Sequence, residues 1–220
     1  MYDPIKYFDE MNLLQEDKER RTATAGNFFD SMLRFFRAQL IQLISGVMLF
    51  DKSSAEYESE LMDLYFSMIP NGNRYDDAAI EKAHRFARYI EDSTERAIAS
   101  ANGNPEYTAS RKLGIGMKDT DVPASVKRMF SDDRANEIAL NETNWIYNYL
   151  NHKQISETQE THTWVTMKDE SVRTSHRLAD GQTVSVNEPF IVGGYKMMFP
   201  LDDSLGAPIK EIINCRCVEL

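Results

Sequence analysis

Apolar residues recur every three to four positions through the first two thirds of the chain and every two positions after that, so the dominant period changes once. From Asn27 to about Phe50, the residues Phe28, Phe29, Met32, Leu33, Phe36, Leu40, Leu43, Ile44 and Val47 fall on one wide helical face, which must be covered. A second helix opens at Ser53 or Ser54 with Glu56 or Glu58 in its first turn. It carries Tyr57, Leu61, Leu64, Tyr65 and Met68 until Pro70-Asn71-Gly72 stops it. A third is predicted from about Asp76 to Ala101, with Ile80, Ala83, Ala87, Ile90, Thr94, Ala97 and Ile98 on one side and Asn102-Gly103-Asn104-Pro105 as its end. Helices joined by short turns predict a bundle.

Gly114-Ile115-Gly116 is the candidate linker, because no apolar period crosses it and glycine loosens the backbone there. The expected division is a helical domain over 1–116 and a second domain over 117–220. After a short turn at Val122 to Phe130, a fourth helix is predicted from about Asp132 to Asn151. Its face holds Ala135, Ile138, Ala139, Trp145, Ile146 and Tyr149, with Glu142 inside the apolar stripe. From His162 the alternation of Trp164 and Thr166 with Val165 and Met167 predicts a half-buried strand. Asp180-Gly181 predicts a tight turn before Thr183 to Val186, and Gly193-Gly194 predicts a hairpin between Phe190-Ile191-Val192 and Tyr195 to Phe199. The fold class expected is therefore α+β, an N-terminal helical bundle followed by a helix plus a small antiparallel sheet.

Composition narrows the function classes. Acidic residues outnumber basic ones by 35 to 25, a formal charge of -10, and no Lys/Arg block of the kind that tracks a phosphate backbone occurs. Broad DNA binding is disfavoured, leaving packaged DNA at most a weak partner. The run from Phe28 to Phe50 has membrane-spanning length but carries Asp30, Arg34, Arg37, Gln39 and Gln42, so no membrane span is expected. Its stripe is read as the inside of a bundle, with Arg34 and Arg37 beside Phe35 and Phe36 as an alternative docking edge. Met1-Tyr2-Asp3-Pro4 lacks a secretory pattern, so synthesis in a cytoplasm is expected. The two cysteines form one Cys-x-Cys, too close for an unstrained bridge, which excludes a disulfide framework.

An ordered set of motifs then appears: Asn141-Glu142-Thr143-Asn144 on a helix, Trp164, Val172-Arg173-x-x-His176, Asp180-Gly181, Phe199-Pro200, and Asn214-Cys215-Arg216-Cys217. From Asp132 to Cys217 this order resembles the C-terminal domain of the phage Mu F-like minor head proteins. The resemblance implies a minor capsid protein of a phage or prophage, located in the virion near the portal inside the head and made in the host cytoplasm. Its expected partners are the portal protein and other head proteins, during assembly, DNA packaging or ejection. By position, the N-terminal helices correspond to the variable portion suited to portal or scaffold contact. Some relatives carry toxin or enzyme modules, but with three residues after Cys217 no appended effector is expected here.

Three chemical readings of the motif residues stay open. His176, Cys215 and Cys217 are donor types that zinc prefers, with His162, Asp180 or Asp202 as a fourth ligand. Alternatively the cysteines are small buried apolar groups and His176 bonds a loop carbonyl, with no cofactor. The third is catalysis, with Cys217 or Cys215 as nucleophile, His176 as base, and Asp180 or Glu142 orienting it in a setting made electropositive by Arg173 and Arg216. Glu142 is better explained as a salt-bridge partner of Arg173 or Arg216, because a lone buried carboxylate is costly. The Asn-Cys-Arg-Cys ending is expected to fasten the last strand to the His176 loop.

Overall fold

The computed structural model describes residues 3–11, 13–44, 54–69, 76–101 and 122–220. The expected stops at Pro70-Asn71-Gly72 and Asn102 to Pro105, the end of the first apolar stripe near Phe50, and the linker Gly114-Ile115-Gly116 lie outside these residues. The chain divides into two compact units, one made of Met1–Gly26 with Glu137–Leu220 and one of Asn27–Asn136. The fold is α+β, as the change of period predicts.

In the unit spanning Asn27–Asn136, α2 (Gln15–Ile44) contributes its later turns, followed by α3 (Ser54–Phe66), α4 (Asp77–Ala101), α5 (Ala124–Met129) and the first turn of α6 (Asp132–Thr158). The core is aromatic. Phe86 lies 5.1 Å from Tyr65 and 5.9 Å from Phe28, and Phe130 meets Phe36 edge-on at 6.0 Å. Each such pair adds about 0.5–1.5 kcal/mol beyond the burial of its area. Phe35 and Phe36 are both buried, and Arg134 stacks 5.0 Å above Phe36. The aromatic half of the expected docking edge thus faces this core, because the rings gain more from burial than Arg34 and Arg37, which stay exposed. The segment read as a turn before α6 contains α5, whose Val126 is fully buried. Among the described residues, no helix is long and apolar enough to cross a membrane.

The other unit begins with α1 (Pro4–Asp9), whose first turn is set by Asp3 accepting from Ile5 N at 3.0 Å and by proline at its first position. Helix α2 starts at Gln15, well before the apolar stripe that betrays its later turns. Its early turns are held by i,i+4 pairs, Arg20 with Glu16 and Arg21 with Asp17, and their inward positions are Arg21 and Ala25. An arginine pointing inward leaves no mark in an apolar period. A cluster of Tyr7, Phe8, Met11, Ala25, Leu140 and Val218 forms one part of the core.

Helix α6 leads into β1 (Thr161–Val165), the centre of a sheet ordered β2-β1-β5, with β2 at Thr183–Ser185 and β5 at Val218–Glu219, both antiparallel to β1. His162, Trp164 and Thr166 are buried on the inward side, the alternation that the sequence predicts. Strands β3 (Phe190–Val192) and β4 (Tyr195–Met197) form the hairpin around Gly193-Gly194. Two differences matter for the site. His176 sits on a short helix, α7 (Thr174–Ala179), rather than a loop. The Cys-x-Cys precedes β5 and follows α8 (Ile209–Ile212), so only the residues after Cys217 pair as a strand.

Candidate functional site

A row of asparagines on α6 positions the end of the chain. Asn141, Asn144, Asn148 and Asn151 are spaced three, four and three apart, which puts them on one helical face. Asn141 accepts from the Asn214 backbone N–H at 2.6 Å, while Asn144 donates to the Cys215 carbonyl at 2.8 Å. Asn148 donates to the carbonyls of Cys217 and Pro200 at 3.2 Å, and Asn151 to that of Glu219 at 2.9 Å. One helix face thus reads the carbonyls of alternate residues in the extended segment. Arg21, only 2% exposed, donates to the side-chain oxygens of Asn144 and Asn148. A guanidinium can only donate, so it fixes each amide with its oxygen toward α2 and its NH2 toward the terminal segment.

Asn214 adopts φ +55°, a conformation that asparagine tolerates better than most residues, and this bend delivers both cysteines inward. Alternation does the rest: Cys215 and Cys217 are 2% and 3% exposed, while Arg216 between them pairs with Glu10 at 3.2 Å and Asp169 at 2.6 Å. Those two carboxylates occupy Arg216, and Arg173 donates to the Ile213 carbonyl, in place of the Glu142 pairing expected for either arginine. Glu142 itself is half-buried on α6.

The motif residues converge on His176. Its Nδ1 lies 3.4 Å from Cys217 Sγ and 3.5 Å from Cys215 Sγ, and Trp164 packs edge-on against its ring at 5.6 Å. Its Nε2 is 3.3 Å from Glu211 Oε2, close enough for an ion pair although not aligned for a hydrogen bond. Ser175 donates to that same oxygen at 2.7 Å. The carboxylate beside His176 is therefore Glu211, which the sequence reading missed. A lone acidic residue in the apolar run Ile209 to Ile213 was the available signal. Gly193, at φ +60°, makes room for it: a Cβ there would stand 3.1 Å from Glu211 Oε1 and 3.2 Å from Ser175 Cβ.

Electrostatically the two sulfurs are driven apart. A hydrogen bond from Cys217 keeps Cys215 well below the usual thiol range against the cost of burial, with His176 helping, and the same bond with burial pushes Cys217 up. Burial works against a charged His176, yet its bond to Cys215, together with the charges of Cys215 and Glu211, raises its pKa on balance. The donor atoms of His176, Cys215 and Cys217 all lie within 4.8 Å of one another, a set able to hold a thiophilic metal. A small pocket lined by Met167, Arg173, Asn214 and Arg216 adjoins them.

The remaining candidates lie apart from this cluster. Asp180 accepts from the backbone N–H and hydroxyl of Thr166 at 2.8 and 3.0 Å, and Gly181, at φ +79°, donates its N–H to the Trp164 carbonyl at 2.8 Å. Asp202 accepts from the N–H groups of Met198 and Ser204. His162 belongs to a different group with His152 and Glu219.

Comparison with known proteins gives one family: the model described as phage Mu protein F like protein matches residues 71–220. No curated protein and no solved structure matches the chain.

Proposed function

Since this chain belongs to the phage Mu protein F like family, a family of phage head morphogenesis, we propose that it is a minor capsid component associated with the portal inside the head. The observation that carries this reading is the family match over residues 71–220, which takes in every residue of the His176 cluster. The expected surroundings are the portal protein and other head proteins, after synthesis in the host cytoplasm. A net charge of -10 favours contact with a protein ring over contact with packaged DNA, which repels it. Copurification with a portal oligomer, and presence in assembled particles at low copy, are the expected results. Absence from both overturns the proposal.

The buried sulfurs support a structural use of the cluster over a thiolate nucleophile, which needs access to substrate. The second reading, a zinc-stabilised module, is favoured by the convergence of His176, Cys215 and Cys217. Elemental analysis of the purified chain and of its Cys215→Ser/Cys217→Ser variant decides it: zinc lost from the variant supports the module, and a metal-free folded protein ends it.

A further inference from the structure

We propose that His152, His162 and Glu219 form a second metal site, separate from the cysteine cluster, that takes a divalent ion of the zinc class. The three residues come from α6, β1 and β5. His162 Nδ1 lies 2.9 Å and His152 Nδ1 3.2 Å from the same oxygen, Oε2 of Glu219, and all three donor atoms fall within 4.8 Å of one another. Zinc holds nitrogen and oxygen at about 2.0–2.2 Å, which at a tetrahedral angle separates ligand atoms by about 3.4 Å. Widening the two contacts by a few tenths of an ångström accommodates the ion.

The hydrogen bonds around His162 call for a positive charge beside Glu219. His162 Nε2 is 3.0 Å from the carbonyl of Glu188, which can only accept, so that nitrogen carries the hydrogen. Its Nδ1 then turns a lone pair toward a carboxylate oxygen at 2.9 Å, and two acceptors do not abut without a cation between them. A proton can bridge one such pair. Here a second imidazole faces the same oxygen, and the other carboxylate oxygen, Glu219 Oε1, is buried with no hydrogen-bond partner. One divalent ion, held by the two imidazoles and by both oxygens of Glu219, would satisfy all of these groups together.

The surroundings suit a ligand set held ready. The bond to the Glu188 carbonyl fixes the His162 tautomer, which is how ligating histidines are usually oriented. Phe190 packs 4.1 Å from the His162 ring and Phe199 5.4 Å from the His152 ring, while Asn151 and the pairing of Glu219 with Trp164 hold the backbone. His152 is 13% exposed, which gives the ion a route in and leaves a coordination position for water. Two nitrogens and a carboxylate select zinc or cobalt over magnesium or calcium, which prefer oxygen ligands alone.

The test is titration of chelator-stripped full-length protein with cobalt(II), with a Cys215→Ser/Cys217→Ser double variant in parallel to remove the thiolate site. Expected is a visible ligand-field spectrum that survives in the double variant without any thiolate-to-cobalt charge-transfer band. In the double variant, His152→Gln and Glu219→Gln weaken cobalt and zinc binding by at least about 100-fold, more than outer-shell changes do. Because Glu219 is buried, zinc-induced protection against thermal unfolding is read on His152→Gln, whose near-UV circular dichroism should match its parent. A double variant that binds neither ion, or one whose binding is indifferent to His152→Gln, overturns the proposal.

Discussion

Arg21 donates to the side-chain oxygen of Asn144, 123 positions further along the chain, and so decides which way that amide faces. The pair is buried, and the Cys215 carbonyl depends on the orientation it sets.

Replacing Asn144 by Leu leaves the Cys215 carbonyl with only the 3.3 Å bond from the Tyr7 hydroxyl and takes one of the buried acceptors from the Arg21 guanidinium. A lost hydrogen bond to a charged group costs about 1.5–3 kcal/mol, so the variant should lose about 2–3 kcal/mol in urea denaturation. Arg21→Lys should recover little of the wild-type stability, because an ammonium cannot fork to Asn144 and Asn148 while holding Asp17. An Asn144→Leu protein as stable as wild type would remove the asparagine row from the account.

Acid sensitivity is expected at Asp180. The backbone N–H of Thr166, with its hydroxyl and the nearby Lys168, outweighs burial and holds this carboxyl below its ordinary value of 3.8. The folded value lies under the unfolded one, so the stabilisation is complete above about pH 4 and fades as pH falls through the lower folded value. The urea midpoints of wild type and Asp180→Asn should therefore differ at pH 7, and the gap should narrow as pH falls below about 4. A constant gap across that range would show that charge is not the cause.

Two glycines separate strain from crowding. Gly181 and Gly193 both have positive φ, but only Gly193 has neighbours within 4 Å of an added Cβ. Gly181→Ala should cost about 1–2 kcal/mol for backbone strain alone. Gly193→Ala should cost about 1–2 kcal/mol more, because Glu211 and Ser175 must shift. Equal thermal shifts in the two variants would contradict this.

Sulfur accessibility gives a direct readout of the site. With both thiols buried, alkylation of the native protein should run on the order of 100-fold slower than in denaturant, and only through opening of the terminal segment. Asn148→Ala removes the bond to the Cys217 carbonyl and should speed alkylation at equal protein concentration. Rapid native labelling of both cysteines would place them at the surface.

The elements with an apolar period were legible: the later turns of α2, α4, the body of α6, β1 and the β3-β4 hairpin all follow from spacing or glycine pairs. The motif set also named His176, Cys215 and Cys217, which do meet. What escaped was polar and inward. Asn141 and Asn144 stand in the motif set, but Arg21, Asn148 and Asn151 carry no signal of their own, since nothing local tells a buried amide from an exposed one before its partner is known. Glu211, His152 and Glu219 were hidden for the same reason, each being ordinary in its own segment. Helix α7 is too short to display a period, so His176 was assigned to a loop.

The division of the chain has a consequence in time. Residues 27–136 form a unit of their own, lodged in sequence between the two halves of the other. At about 5–20 residues per second, a ribosome takes about 6–25 s to add Asn144 after Arg21. Throughout that interval the charge of Arg21 must remain hydrated, and the intervening unit can be completed first. The cysteines, the last residues of the His176 cluster to be made, then close a half that has been waiting since the first helices were synthesised.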